Sequence, residues 1–120
     1  MLTMGTTVLG VDDVHRAYAF WSAALGYVPR DAGAIEDSVI LVPPDGRAGA
    51  HLALDTSETP VQSRPRVHLD LYAADQRAEV ERLVALGAAV VDWEYPDDAD
   101  FVVLADPEGS RFCVVDKSEI

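Results

Sequence analysis

Apolar residues alternate with polar ones, then recur every three to four positions, then alternate again, and the chain runs through this cycle twice. The first β-rich run is Thr6–Val11. Asp12 or Asp13 then caps a helix whose apolar positions Val14, Ala17, Tyr18, Trp21 and Leu25 fall three and four apart. Gly26 stops it. Strands are predicted from Tyr27-Val28, over Ser38–Val42 and over 50–54, the second of them closed by Pro43-Pro44-Asp45-Gly46. Residues 56–65 are polar, carry two prolines and read as a loop.

The second cycle repeats the order. Arg66-Val67-His68-Leu69-Asp70-Leu71-Tyr72 alternates as a strand, Asp75 caps a helix, and Val80, Leu83, Val84 and Leu86 mark its inner face. Gly87 follows Leu86 as Gly26 follows Leu25, 61 residues earlier. Further strands are predicted from Val90-Val91, over 101–104 and over 112–115. Asp106-Pro107-Glu108-Gly109 joins the last two as a turn, with Pro presetting φ and Gly supplying the positive φ. The expectation is an α+β domain over 1–120 built from two copies of a βαβββ module, about 4–56 and about 65–117.

Composition narrows the function. A chain of 120 residues, 49% hydrophobic, fits one compact domain. No apolar run approaches the roughly 20 residues that span a bilayer. The first residues, Met1-Leu2-Thr3-Met4-Gly5, lack the charged and apolar regions of a signal peptide, so a cytoplasmic protein is expected. The lone Cys113 excludes an internal disulfide framework. A net charge of −12 repels phosphate backbones and argues against a nucleic-acid partner.

Chemistry-bearing side chains are few. Alternation places Arg66, His68 and Asp70 on one strand face, a polar stripe that suits either a ligand cleft or an exposed strand. His51 and Asp55 share a face in the same way. Cys113, between Phe112 and Val114, reads first as a small buried apolar side chain. Trp93, Tyr95 and Phe101 suit either a cleft for a flat ligand or a dimer interface. There is no Gly-rich phosphate loop, no Cys-x-x-Cys pair and no nucleophile elbow.

Three segments carry a resemblance: Asp13 with Phe20-Trp21 and Leu25-Gly26; His68-Leu69-Asp70-Leu71; and Asp106-Pro107-Glu108-Gly109-Ser110-Arg111-Phe112. Together they resemble the vicinal oxygen chelate superfamily of glyoxalase I, bleomycin-resistance proteins and extradiol dioxygenases. More narrowly, Arg66-Val67-His68-Leu69-Asp70-Leu71, the helix end Leu86-Gly87-Ala88 and the Asp106-Pro107-Glu108-Gly109 hairpin resemble its small actinobacterial glyoxalase-like domains. The resemblance implies two curved sheets around a cleft, and a homodimer. It also implies that metal-dependent relatives hold a divalent ion with ligands from the first and last strands of each module. Those positions fall on Thr6, a poor ligand, on His68, on Cys113 and, loosely, on His51 or Asp55. Glyoxalase I activity itself is not expected, because Glu is missing from the Cys113 position.

The expectation is therefore a cleft that binds a small organic molecule without an intact metal tetrad, through His68, Asp70, Arg66, Trp93, Tyr95 and Phe101. The alternative is a metal-dependent lyase, isomerase or dioxygenase. Its divalent ion would sit on His68, His51 or Asp55, and Cys113.

Overall fold

Strand, helix, strand, strand, strand is the element order, and it occurs twice in the computed structural model, which describes residues 1–118. The chain divides into two units, Met1–Pro60 and the residues from Val61 onward. Among the described residues no helix is long and apolar enough to cross a membrane.

The first unit holds β1 (Thr6–Val11), α1 (Val14–Leu25), β2 (Val28–Pro29), β3 (Ser38–Val42) and β4 (His51–Thr56). Its sheet has the order β1-β4-β3-β2, with β1 parallel to β4 and the other pairs antiparallel. Asp13 caps α1: its carboxylate accepts the Arg16 N–H at 3.1 Å, satisfying one of the donors a helix start leaves open. Val14, Ala17, Phe20 and Trp21 are buried on α1, which packs on β3 and β4, where Leu41, Leu52 and Leu54 are buried in turn. The Tyr27 hydroxyl donates to the Ala50 carbonyl at 2.7 Å and ties β2 to the start of β4.

The second unit holds β5 (Asp70–Ala73), α2 (Gln76–Ala85), β6 (Ala89–Val90), β7 (Phe101–Ala105) and β8 (Arg111–Asp116), in the order β5-β8-β7-β6. The β5–β8 pair is parallel and the others antiparallel. Asp75 caps α2 by accepting the Ala78 N–H at 3.1 Å. The Gln76 amide donates to the carbonyls of Asp100 and Val114 at 3.0 and 2.9 Å, pinning the helix start to the sheet. Only Leu83 of the expected inner face is buried, while Val84 and Leu86 are 41% and 38% exposed. The helix has ten residues and Leu86 already lies at its cap, so the apolar spacing outruns the helix.

The β7–β8 turn is organised by Asp106, which is 3% exposed. Its carboxylate accepts the N–H groups of Glu108 and Ser110, each at 2.9 Å, and Gly109 sits at φ 91°. The Asp106 N–H also donates to the Ser110 carbonyl at 2.9 Å. The sequence reading of this turn named Pro and Gly and passed over the Asp that holds it.

Two strand boundaries differ from the sequence pattern. Alternation predicts a strand over 66–72, yet β5 begins at Asp70. β5 is an outer strand with β8 as its one neighbour, and β8 starts at Arg111 as it leaves the turn. Of residues 66–69 only the Leu69 carbonyl finds a ladder partner, the Cys113 N–H at 2.9 Å. In the first unit β4 runs on to Thr56, past the expected end at 54, because β1 pairs with it to that point. A strand lasts as long as its partner, and the partner's length is not visible in the strand's own alternation.

Candidate functional site

Alternation along β8 sends Arg111, Cys113 and Val115 to one sheet face, and Lys117 continues that series. The register fixes what stands beside them. Cys113 lies between Asp70 of β5 and Val103 of β7; Val115 lies between Tyr72 of β5 and Phe101 of β7. The result is two side-chain rows across one face. Leu104, Phe112 and Val114 are fully buried from the alternate positions, and α2 packs on β5 and β8.

A cavity of about 580 Å³ opens on the face of the two rows. Its floor is apolar: Val103, Cys113 and Val115 are buried together, with Val91, Trp93 and Phe101 packed against them. Its rim is polar and includes His68, Asp70, Asp100, Arg64, Arg111 and Lys117. The Arg64 guanidinium sits 4.8 Å from the Trp93 ring centre and the Lys117 ammonium 4.9 Å from that of Tyr72. Arg111 donates through Nη1 to the Gly109 carbonyl at 2.9 Å.

At one end, His68 Nε2 and Asp70 Oδ1 are 3.0 Å apart, both side chains about half exposed, at 45% and 50%. Burial pushes the Cys113 thiol pKa up, and the charge of Asp70 and the hydrogen bond to it push the same way. The thiol is therefore held protonated and is a weak nucleophile as it stands. Asp70 is shared between the imidazole and the thiol.

The cavity brings together five sequence-selected residues, His68, Asp70, Trp93, Phe101 and Cys113. Tyr95 is not part of its lining. Its ring packs against Phe101 at 5.5 Å between centres, and its hydroxyl accepts the Val103 N–H at 2.8 Å, where the short β6 no longer reaches β7. Arg66 lies exposed in the bend before β5 and also stands outside the lining. His68, itself two residues before β5, stays at the cavity through its contact with Asp70, whereas Arg66, four residues before the strand, leaves the expected stripe.

Within the first unit His51 and Asp55 do not form a pair of ligands for one ion. His51 and Asp55 are four residues apart on β4, about 13 Å along the strand, too far for one ion to bind both. Aligning the helix caps Asp13 and Asp75 makes Thr6 the counterpart of His68 and Val8 that of Asp70. The register partner of Val8 is Ala53, so an apolar residue occupies the place that Cys113 takes in the second unit. Among the described residues the group of three metal-ligating side chains is His68, Asp70 and Cys113, whose donor atoms lie within 4.8 Å of one another. The first unit repeats none of these donors but offers Thr6, Val8 and Ala53 at the matching places. The four-ligand arrangement implied by the resemblance does not fit these residues.

Sequence reasoning passed over Arg64, Tyr72, Asp100, Arg111 and Lys117. The period of two that starts at Cys113 reaches Arg111 and Lys117, and that running back from Asp70 through His68 reaches Tyr72 in the other direction. Arg64 and Asp100 lie outside any strand, so no pattern announces them.

This architecture defines an α+β protein of duplicated βαβββ units with a cavity on the sheet face of the second. The chain belongs to the glyoxalase-like domain family, whose model matches residues 6–115, and so to the vicinal oxygen chelate superfamily. Among solved structures it is similar to a glyoxalase-related enzyme from Fulvimarina pelagi, at TM-score 0.71 and 18% identity, covering 98% of this chain and 90% of that one. It is also similar to a glyoxalase/bleomycin resistance protein/dioxygenase family enzyme from Burkholderia phytofirmans PsJN, at TM-score 0.72 and 14% identity, covering 96% and 98%. A third is TnmS3, an antibiotic binding protein from Streptomyces sp. CB03234, at TM-score 0.68 and 20% identity, covering 97% and 96%. At these identities the likeness shows the fold. No protein of curated function matches the chain.

Proposed function

We propose that this protein binds a small organic molecule on the sheet face of its second unit, without a metal tetrad. The observation that carries the reading is the cavity of about 580 Å³ with an apolar floor and a polar rim. That volume lies within the roughly 300–1,000 Å³ typical of small-molecule sites. Trp93 and Phe101 offer flat surfaces, and His68 and Asp70 offer hydrogen bonds that orient a guest. The printed description of TnmS3, an antibiotic binding protein of the same fold, agrees with this reading. Isothermal titration against a panel of aromatic natural products, with and without EDTA, tests it. The expected result is binding that chelator leaves unchanged; binding abolished by EDTA overturns it.

A second reading, a metal-dependent lyase, isomerase or dioxygenase, draws on the cluster of His68, Asp70 and Cys113. Elemental analysis of untagged protein after reconstitution decides it, since one bound ion per chain is required. A homodimer is part of the proposal as well, supported by Val8 and Val90, 62% and 70% exposed on the outer strands β1 and β6 of their sheets. Sedimentation at micromolar concentration tests it, and a monomer counts against it. The single cysteine and the charge of −12 support a cytoplasmic setting and a partner other than nucleic acid.

A further inference from the structure

The charge around the cavity runs against the charge of the chain. Acidic residues outnumber Lys and Arg by 21 to 9 in the sequence. Around the cavity the order reverses: Arg64, Arg111 and Lys117 face Asp70 and Asp100. Asp70 is already engaged by His68 and by the Cys113 thiol. None of the three cations is paired with a described carboxylate. Arg64 lies over Trp93, Lys117 lies over Tyr72, and Arg111 bonds the neutral Gly109 carbonyl. Elsewhere Arg30, Arg77 and Arg82 each hold a carboxylate, on Asp31, Glu81 and Glu79. Arg47 and Arg66 also lack a carboxylate partner among the described residues and lie outside the lining, but only at the cavity do three such cations gather.

We infer that the guest is an aromatic anion, a flat ring system carrying a carboxylate or a similar group. This rests on the proposed function and assigns it a ligand class. The ring lies on the wall made by Trp93 and Phe101, which packs against the buried Val103–Cys113–Val115 floor. The anionic group meets the rim cations. A cation resting on an aromatic face keeps its full charge, and its bonding capacity is open to an incoming oxygen. Arg64 thus waits over Trp93, one of the two rings of that wall, and Lys117 over Tyr72 on the same cavity. Screening by solvent is reduced in a concave site, so the field of three cations acts there more strongly than on an open surface.

Three probes of one shape separate the possibilities: 2-naphthoate, its neutral amide, and the cationic 2-naphthylmethylamine. Each is titrated by quenching of tryptophan fluorescence, with the Trp93→Phe variant assigning the signal to the cavity rather than to buried Trp21. The expected result is naphthoate binding at least tenfold tighter than the amide. The Arg64→Gln/Arg111→Gln/Lys117→Gln variant brings naphthoate to the level of the amide measured on the same variant. Raising salt from 0.05 to 0.5 M weakens naphthoate and spares the amide. Equal affinities, or tighter binding of the amine, overturn the assignment of an anion and leave a small-molecule site standing. Failure of all three probes to bind counts against the proposed function, and the ligand class falls with it.

Discussion

Asp70 and Cys113 stand directly opposite each other on the parallel strands β5 and β8, and the Asp70 carboxylate lies within 4.8 Å of the Cys113 sulfur while contacting His68 Nε2 at 3.0 Å. One carboxylate therefore sets the chemistry of two neighbours. Burial and this negative charge both disfavour the thiolate, so Cys113 reacts with iodoacetamide at pH 8 more slowly than a free thiol. Asp70→Asn removes the charge but not the burial, which is the larger cause, so alkylation accelerates only a few-fold. Mass spectrometry of the quenched reaction reads the rate; an unchanged or slower rate in the variant contradicts the assignment.

The same shift makes a statement about stability against pH. The folded pKa of Cys113 lies above its unfolded value, so the unfolded chain releases this proton first. The contribution is fully present below the ordinary thiol value of 9.0 and is lost as pH rises from there through the folded value. Urea midpoints measured from pH 8 to pH 10.5 are expected to fall more steeply in the native chain than in Cys113→Ala.

Asp106 is the buried polar group that the final hairpin depends on. Asp106→Ala leaves the N–H groups of Glu108 and Ser110 without their acceptor. A cost of about 2–4 kcal/mol is expected for two donors left unsatisfied. Asp106→Asn keeps an acceptor oxygen and costs less. Denaturant unfolding of both variants checks the order.

Gly10 lies where β1 passes the residue that follows β4. A Cβ there would come within 2.7 Å of Ser57 Cβ, and Ser57 is tied by its own N–H to the Val11 carbonyl at 2.9 Å. Gly10→Ala is expected to cost about 1–3 kcal/mol, the usual range for forced overpacking. Gly5→Ala meets nothing within 4 Å and serves as the neutral control in the same unfolding series.

The two helix caps offer a matched pair. Asp13 and Asp75 each accept a backbone N–H three residues on, at 3.1 Å in both cases. Alanine at either site is expected to cost about 1 kcal/mol. Hydrogen exchange assigns each loss to its own helix: amides of α1 lose protection in Asp13→Ala, and amides of α2 lose it in Asp75→Ala. Spread of either effect across both helices would show that the caps act through something other than local helix ends.

Much of the site was legible because strand periodicity is a strong signal. Placing His68 and Asp70 together needed only the period of two, and the terminal turn located Cys113 near the chain's last strand. Arg66 shows where that reasoning fails: the alternation continues past Asp70 toward the N-terminus, but the partner strand does not. Tyr95 shows a second limit. An aromatic residue near the site reads as lining, and its hydroxyl instead replaces a missing ladder bond to Val103. His51 and Asp55 show a third, because only the register reveals Ala53 as the counterpart of Cys113.

The sequence by itself determined the duplicated βαβββ order, the two capped helices and the closing turn. Each depends on residues close together in the chain, on side-chain period, cap chemistry and turn geometry. Tertiary structure decided the rest: which residue faces which across a parallel ladder, where β5 begins, and that Arg64, Arg111 and Lys117 gather at one cavity. Those facts arise from pairing between distant segments, and pairing follows from which backbone groups can find partners rather than from the local pattern of either segment.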